Sequence, residues 1–300
     1  MPPLDDKRKY LQPEMAAMLS NMALRARLVV EGYIIGQHKS PYHGFSVEFA
    51  EHRAYGPGDE IRHIDWKLYG KTDRYFVKRY EEETNLRAHL ILDTSRSMLY
   101  SSGAITKLDY ASTLMAALAY LMMNQQDGVG LVLFDEKVNQ FIPPRSNPSH
   151  LNTLLSHLGT VEAGLDTQIE PVLHEMAERI KKRGLIILIS DLLDDPDNIL
   201  NGLKHFRHNK QEVIVFHILD RQELEFDFNA RTRFKDMESG EEITTEPWHI
   251  RKAYAESIEK LQKDYRKKCR EYLVDYVPLF TDQSLDKALT EYIRKRKKLN

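Results

Sequence analysis

The chain of 300 residues has a single cysteine, Cys269, which excludes an internal disulfide framework and any site built on several thiolates. Such sparse thiol usage fits a reducing compartment. Long apolar runs are also missing: Leu28 to Ile35 is interrupted by Glu31 and Gly32, and nothing approaches the roughly 18 unbroken apolar residues of a membrane span. The first residues, Met1-Pro2-Pro3-Leu4-Asp5-Asp6, carry acids where a secretory signal carries bases, and no apolar segment follows them. A cytoplasmic protein with no membrane anchor is the expectation. Charge of one sign is lacking as well, with a net charge of −2 and a pI near 6.6, so no overall field argues for nucleic acid or for a strongly charged partner. Arg74, Lys78, Arg79 and the terminal Arg294-Lys295-Arg296-Lys297-Lys298 are the best basic candidates. Acids interleave with the bases upstream of them, and the terminal run reads as a solvated helix end. There is no G-x-x-x-x-G-K-[ST] loop, which argues against P-loop ATP hydrolysis.

What is present is an ordinary globular composition, 42% hydrophobic and 29% charged, sufficient for one large core or two smaller ones. Pro13-Glu14 opens a helix expected over residues 13–31, with Met15, Met18, Leu19, Met22 and Ala26 at helical spacing. Residues 42–80 read as short strands and turns, with Phe45, Val47 and Phe49 alternating and a further strand around Tyr75-Phe76-Val77. Beyond them, apolar runs alternate with helical patterns. Leu90-Ile91-Leu92, Val129 to Phe134, Leu185 to Ile189 and Val213 to Ile218 have the unbroken character of strands buried on both faces. Helices are expected at 108–124, 149–158, 169–182, from about 249, and at 284–294. Short strands are expected at 137–142, stopped by Pro143-Pro144, and at 272–277, with a small hairpin around 233–241. Cys269 falls on the stripe of Tyr254, Ile258, Leu261 and Tyr265, as core packing rather than as a nucleophile. This alternation predicts an α/β fold with a doubly wound, mostly parallel sheet flanked by helices.

Chemistry concentrates where strands end. Asp93-Thr94-Ser95-Arg96-Ser97 follows the first long strand and offers a carboxylate and two hydroxyls at D-x-S-x-S spacing, suited to a hard divalent cation. Gly164-Leu165-Asp166-Thr167-Gln168-Ile169 brings a Thr just ahead of a helix, and Ser190-Asp191 closes another strand. Parallel strand order would gather all three loops at one sheet edge. The same residues also suit plain capping of loops and helices, for which Asp, Ser and Thr are favoured.

These three elements, including T-x-I-x-x-x-L at Thr167, Ile169 and Leu173, resemble the von Willebrand factor A fold and its metal-ion-dependent adhesion site. The resemblance implies Mg²⁺ or Mn²⁺ held by Ser95, Ser97 and Thr167, with Asp93 and Asp191 acting directly or through water; Asp166 is a second candidate beside Thr167. It also implies an open position for an acidic side chain of a partner protein. A second pattern, Arg53-x-Tyr55-x-x-Gly58-Asp59-x-x-Arg62-x-Ile64-Asp65-Trp66, resembles the signature of the bacterial family catalogued as domain of unknown function 58, in which it precedes an A-type domain. Asp236 to Gly240 and Thr281-Asp282 resemble its C-terminal half. Two departures stand out: Gly70-Lys71 replaces the usual Ala-Arg, and the membrane segments of many members are absent.

By this resemblance residues 1–84 form an N-terminal helix plus a small β segment carrying the signature, and 85–300 the von Willebrand factor A-like domain. The implied role is non-enzymatic: an adaptor or chaperone-like partner of a MoxR-type AAA+ ATPase. The alternative is a phosphohydrolase of haloacid dehalogenase type, with Asp93 as nucleophile beside Mg²⁺. The second Asp usual in that chemistry, two residues on, is Ser95 here.

Overall fold

Four mostly apolar, buried strands stand side by side in the computed structural model, which describes residues 12–38, 52–54, 66–78, 86–164, 168–226, 228, 232–235 and 242–299. They are β3 (Arg87–Asp93), β4 (Gly128–Phe134), β6 (Leu185–Ser190) and β7 (Glu212–Leu219), joined at the two edges by β10 (Asp275–Phe280) and β5 (Val138–Arg145). The sheet order is β10-β7-β6-β3-β4-β5, with every pairing parallel except the antiparallel β4-β5 edge. Alternate residues feed two cores. Leu90 and Leu92 face a layer that includes α4 (Lys107–Asn124), α5 (Pro148–Gly159) and α10 (Asp286–Leu299). Ile91 faces the opposite layer of α6 (Ile169–Arg179), α7 (Pro196–His208) and the end of α9 (Pro247–Glu271). Burial on both faces is why these strands carry no polar alternation. This is the architecture expected of a von Willebrand factor A-like domain.

From β3 the chain builds outward through β4 and β5, then crosses back to build β6, β7 and β10 on the other side. The order therefore reverses between β3 and β6, and the crevice outside their carboxyl ends is the place where such sheets bind ligands. Asp93 and Ser190-Asp191 lie there.

Several local expectations are revised. The N-terminal helix is two pieces, α1 (Pro13–Ala17) and α2 (Met22–His38). The break comes from Asn21, whose side chain accepts the Leu24 amide, and from Arg25, whose guanidinium donates to the Ala17 and Leu19 carbonyls and to Thr113 Oγ1 on α4. Met18 is consequently exposed, while Ala16, Ala26, Val29 and Tyr33 join the core. Pro143 and Pro144 lie inside β5 instead of ending it. They sit at the sheet edge, where the register shifts between the Val129↔Arg145 and Leu131↔Ile142 pairs, so their missing amides leave no gap in a central ladder. Gly130 makes this approach possible, since a Cβ there would meet the Ile142 carbonyl oxygen at 2.7 Å. The last strand begins at Asp275 instead of Tyr272, because Leu273 adopts φ 57° just after α9.

In the N-terminal region β1 (His52–Ala54) pairs antiparallel with β2 (Phe76–Lys78), but a helix, α3 (Trp66–Thr72), stands between them where strands and turns were expected. Trp66 is 57% exposed and needs no buried hydrogen-bond partner. Farther on, α8 (Arg221–Glu225) follows β7 directly. The hairpin is β8 (Thr232–Lys235) with β9 (Glu242–Thr245), its strands farther apart than the sequence implied. Among the described residues no helix is long and apolar enough to cross a membrane.

Candidate functional site

At the end of β3 the Asp93 side chain turns back over its own loop. Its Oδ1 accepts the Ser95 amide at 2.9 Å, and its Oδ2 accepts the Ser190 hydroxyl, at the end of β6, at 2.6 Å. The Thr94 amide and hydroxyl both donate to the Phe134 carbonyl at the end of β4. These bonds tie three neighbouring strand ends together and set up a 3₁₀ turn over Arg96–Leu99. Within it the Ser95 and Ser97 hydroxyls come to 3.0 Å of each other, both buried, while Arg96 between them is exposed.

Asp191 completes the group from the β6 side. The chain turns sharply behind it: Leu192 is buried with φ 53°, a left-handed conformation uncommon for a leucine, and its amide donates to Ser190 Oγ. One Asp191 oxygen, Oδ2, accepts the Lys107 ammonium at 2.8 Å. The other, Oδ1, is buried and has no hydrogen-bond partner. Burial first, and then the Asp191 charge, push the Asp93 carboxyl up to about 7. Two carboxylates are thus held out of water side by side, with too little positive charge between them.

The third loop is anchored at the same edge. The Gly164 amide donates to the Thr94 carbonyl at 2.7 Å, and the Gln168 amide reaches the Asp135 carbonyl just beyond β4. Asp166 and Thr167 lie outside the described residues. So do Tyr55, Gly58, Asp59, Arg62 and Asp65 of the family signature; Arg53 is placed in β1, opposite Val77, and Trp66 starts α3. The structure therefore brings Asp93, Ser95, Ser97 and Asp191 together.

Whether these groups suit a metal follows from their chemistry. Among the described residues no set of three or more His, Cys, Asp or Glu converges on one point, which excludes a zinc-type nitrogen or sulfur cage there. Two carboxylates, two hydroxyls and an unpartnered buried carboxylate oxygen are instead a hard-oxygen set, matching Mg²⁺ or Mn²⁺. The residues fit the ion that the resemblance implies.

Sequence reasoning passed over the charged groups that stand behind Asp191. Lys107, the first residue of α4, is 1% exposed and also bonds Glu223 Oε1 on α8 at 2.8 Å. Burial works to lower its pKa, but Asp191 and Glu223 outweigh it, and the ammonium is held above its ordinary value. Glu223 turns its other oxygen to the Asp220 amide, and Asp220 accepts from Ser102, Gln222 and Thr281. His217 on β7, pulled down to about 4 chiefly by burial, contacts the Asp191 backbone and the Tyr276 hydroxyl and so is neutral at pH 7. One signal for Lys107 was readable: a lysine in the first turn of a helix opposes the dipole and calls for an acidic partner.

Comparisons with known proteins agree with this architecture. Uncharacterized protein Rv1480 of Mycobacterium tuberculosis is 24% identical over 291 residues, covering 95% of this chain and 91% of that protein. The crystal structure of conserved hypothetical protein BatB from Bacteroides thetaiotaomicron matches 71% of this chain and 99% of its own, at 17% identity and TM-score 0.50, a likeness of fold. The VWA domain of SpRpn10 covers 69% of this chain and 95% of its own at 12% identity, but its TM-score of 0.39 is too low to build on. The family model described as "Protein of unknown function DUF58" matches residues 51–264, well over half of the chain, and the chain belongs to that family.

Proposed function

We propose that this chain is a non-enzymatic, Mg²⁺-dependent protein-binding module, in which Asp93, Ser95, Ser97 and Asp191, joined by Thr167, hold the ion. The observation that carries the reading is Asp191 Oδ1, buried and unpartnered beside a second buried carboxyl and a pair of hydroxyls. A buried carboxylate oxygen without a donor is costly, and a hard cation removes the cost. When bound, such an ion supplies positive charge only partly neutralised by the hydroxyl-rich set, which attracts an acidic side chain of a partner. The chain's own residues do the rest. Ser190 and the Ser95 amide fix the Asp93 carboxyl, and Lys107 fixes one Asp191 oxygen. Arg96, Leu99 and Leu193, all exposed on the loops after β3 and β6, offer a cation and two apolar contacts around the approach.

The partner favoured by the family resemblance is a MoxR-type AAA+ ATPase, served by this chain as an adaptor or chaperone-like subunit. Affinity capture on the purified full chain, with Mg²⁺ and with EDTA, tests this against a MoxR-type ATPase from the same organism. Retention that needs Mg²⁺ and is lost in Asp93→Ala is expected. Equal retention with and without the ion, or no retention at all, would remove the proposal.

A further inference from the structure

Lys107 is out of place by local rules. The first turn of α4 carries partial positive charge, and this residue adds a full one there, yet its side chain is almost completely buried. What holds it is its two carboxylate partners, Asp191 Oδ2 and Glu223 Oε1, each at 2.8 Å. The charges are linked in a row: the Asp93 carboxyl lies beside Asp191, Asp191 Oδ2 holds the Lys107 ammonium, and that ammonium holds Glu223, a sum of −2 when Asp93 is ionised.

We infer that Lys107 is a tethered counter-ion of the metal site, which together with Glu223 sets the local charge at −2 and thereby sets how tightly the site holds a divalent cation. This rests on the reading of Asp93, Ser95, Ser97 and Asp191 as a metal site. The physical basis is long-range: charges a few Å apart, out of water, interact strongly enough that each unit of local charge changes divalent affinity by about tenfold or more. The competing role for Lys107 is that of a strut that only orients the Asp191 carboxylate. The two roles make opposite predictions when the lysine is removed, because a lost strut weakens metal binding whereas a lost positive charge strengthens it.

The test is calorimetric titration of MgCl₂ into the full chain, with thermal melts in EDTA and in Mg²⁺ as a second readout. Four proteins are compared: wild type, Lys107→Met, Glu223→Gln and the double variant, at local charges of −2, −3, −1 and −2. Expected is about tenfold or more tighter binding and a larger Mg²⁺-induced rise in melting temperature for Lys107→Met. Glu223→Gln should bind about tenfold weaker, and the double variant should return close to wild type. Lys107→Met leaves the buried Asp191 and the half-buried Glu223 without their cation, so its folding is the weak point. Glu223→Gln, at a side chain 24% exposed, and the charge-balanced double variant carry the test without it.

If wild type binds and the variants bind equally, or if the double variant loses binding, the counter-ion role is overturned and the metal reading stands. If wild type is silent but Lys107→Met binds, the counter-ion role stands in its strongest form, with the ammonium in the ion's stead, and the metal reading of the wild type falls. Silence in all four proteins overturns both.

Discussion

Replacing Asp93 by Asn should change the pH dependence of stability in a direction fixed by the site. Burial and Asp191 raise the Asp93 carboxyl from 3.8 to about 7, so the metal-free folded chain must keep a proton that the unfolded chain has already released. The folded state therefore binds more protons, and stability falls as pH rises from about 4 to about 7. At about 1.4 kcal/mol per unit, the gap amounts to on the order of 4 kcal/mol at pH 8. His89 and His217, both held near 4 mainly by burial, act in the overlapping window with the opposite sign, losing stability as pH falls below 6.5. The wild-type profile alone thus mixes the two, and the difference between wild type and Asp93→Asn isolates the carboxyl. Asn keeps the acceptor for the Ser95 amide and loses the one for the Ser190 hydroxyl, a nearly constant loss of about 1 kcal/mol. Urea denaturation in EDTA should find the two proteins roughly equal near pH 4 and the variant more stable by about 3 kcal/mol at pH 8. Added Mg²⁺ should stabilise wild type at pH 8 and leave the variant unmoved. A difference that does not vary with pH would refute the burial of an ionisable pair at this edge.

Three further outcomes follow from the packing. His89→Leu removes a buried ring whose Nδ1 lacks a partner, and it should raise the melting temperature more at pH 5 than at pH 8, flattening an acid limb of roughly 3 kcal/mol. Gly202→Ala would set a Cβ 2.6 Å from Leu173 Cβ between α7 and α6, so chemical denaturation should register a loss of about 1–3 kcal/mol with the far-ultraviolet spectrum unchanged. Cys269, buried on α9 with its thiol pushed up to about 12 by that burial, should resist a thiol-disulfide reagent in the native protein and react fully in denaturant. Fast reaction in the native state would contradict its place in the core.

The parallel strands were legible because burial on both faces leaves one signature, an unbroken apolar run such as Leu185 to Ile189, that local turns do not disguise. The clustering of the candidate site loops was legible for a related reason: in a parallel sheet the residues that follow such runs share one edge, so Asp93 and Asp191 could be paired across nearly a hundred positions. What escaped depends on side chains reaching across the fold. Arg25 caps the carbonyls of a preceding helix, and so one amphipathic stripe became two helices. Pro143 and Pro144 are breakers by local rule and strand residues only because β5 has a free edge. Lys107 and Glu223 meet across 116 positions, and neither residue signals the other.

The central claim is that the oxygens after β3 and β6 form a divalent-cation site. Crystals of the full chain soaked in MnCl₂ and measured for the anomalous signal of manganese test it most directly. The account predicts a peak within about 2.5 Å of both the Ser95 and Ser97 hydroxyls, on the open side of Asp191. A peak elsewhere, or none at saturating Mn²⁺ with Lys107 still on Asp191, would contradict it.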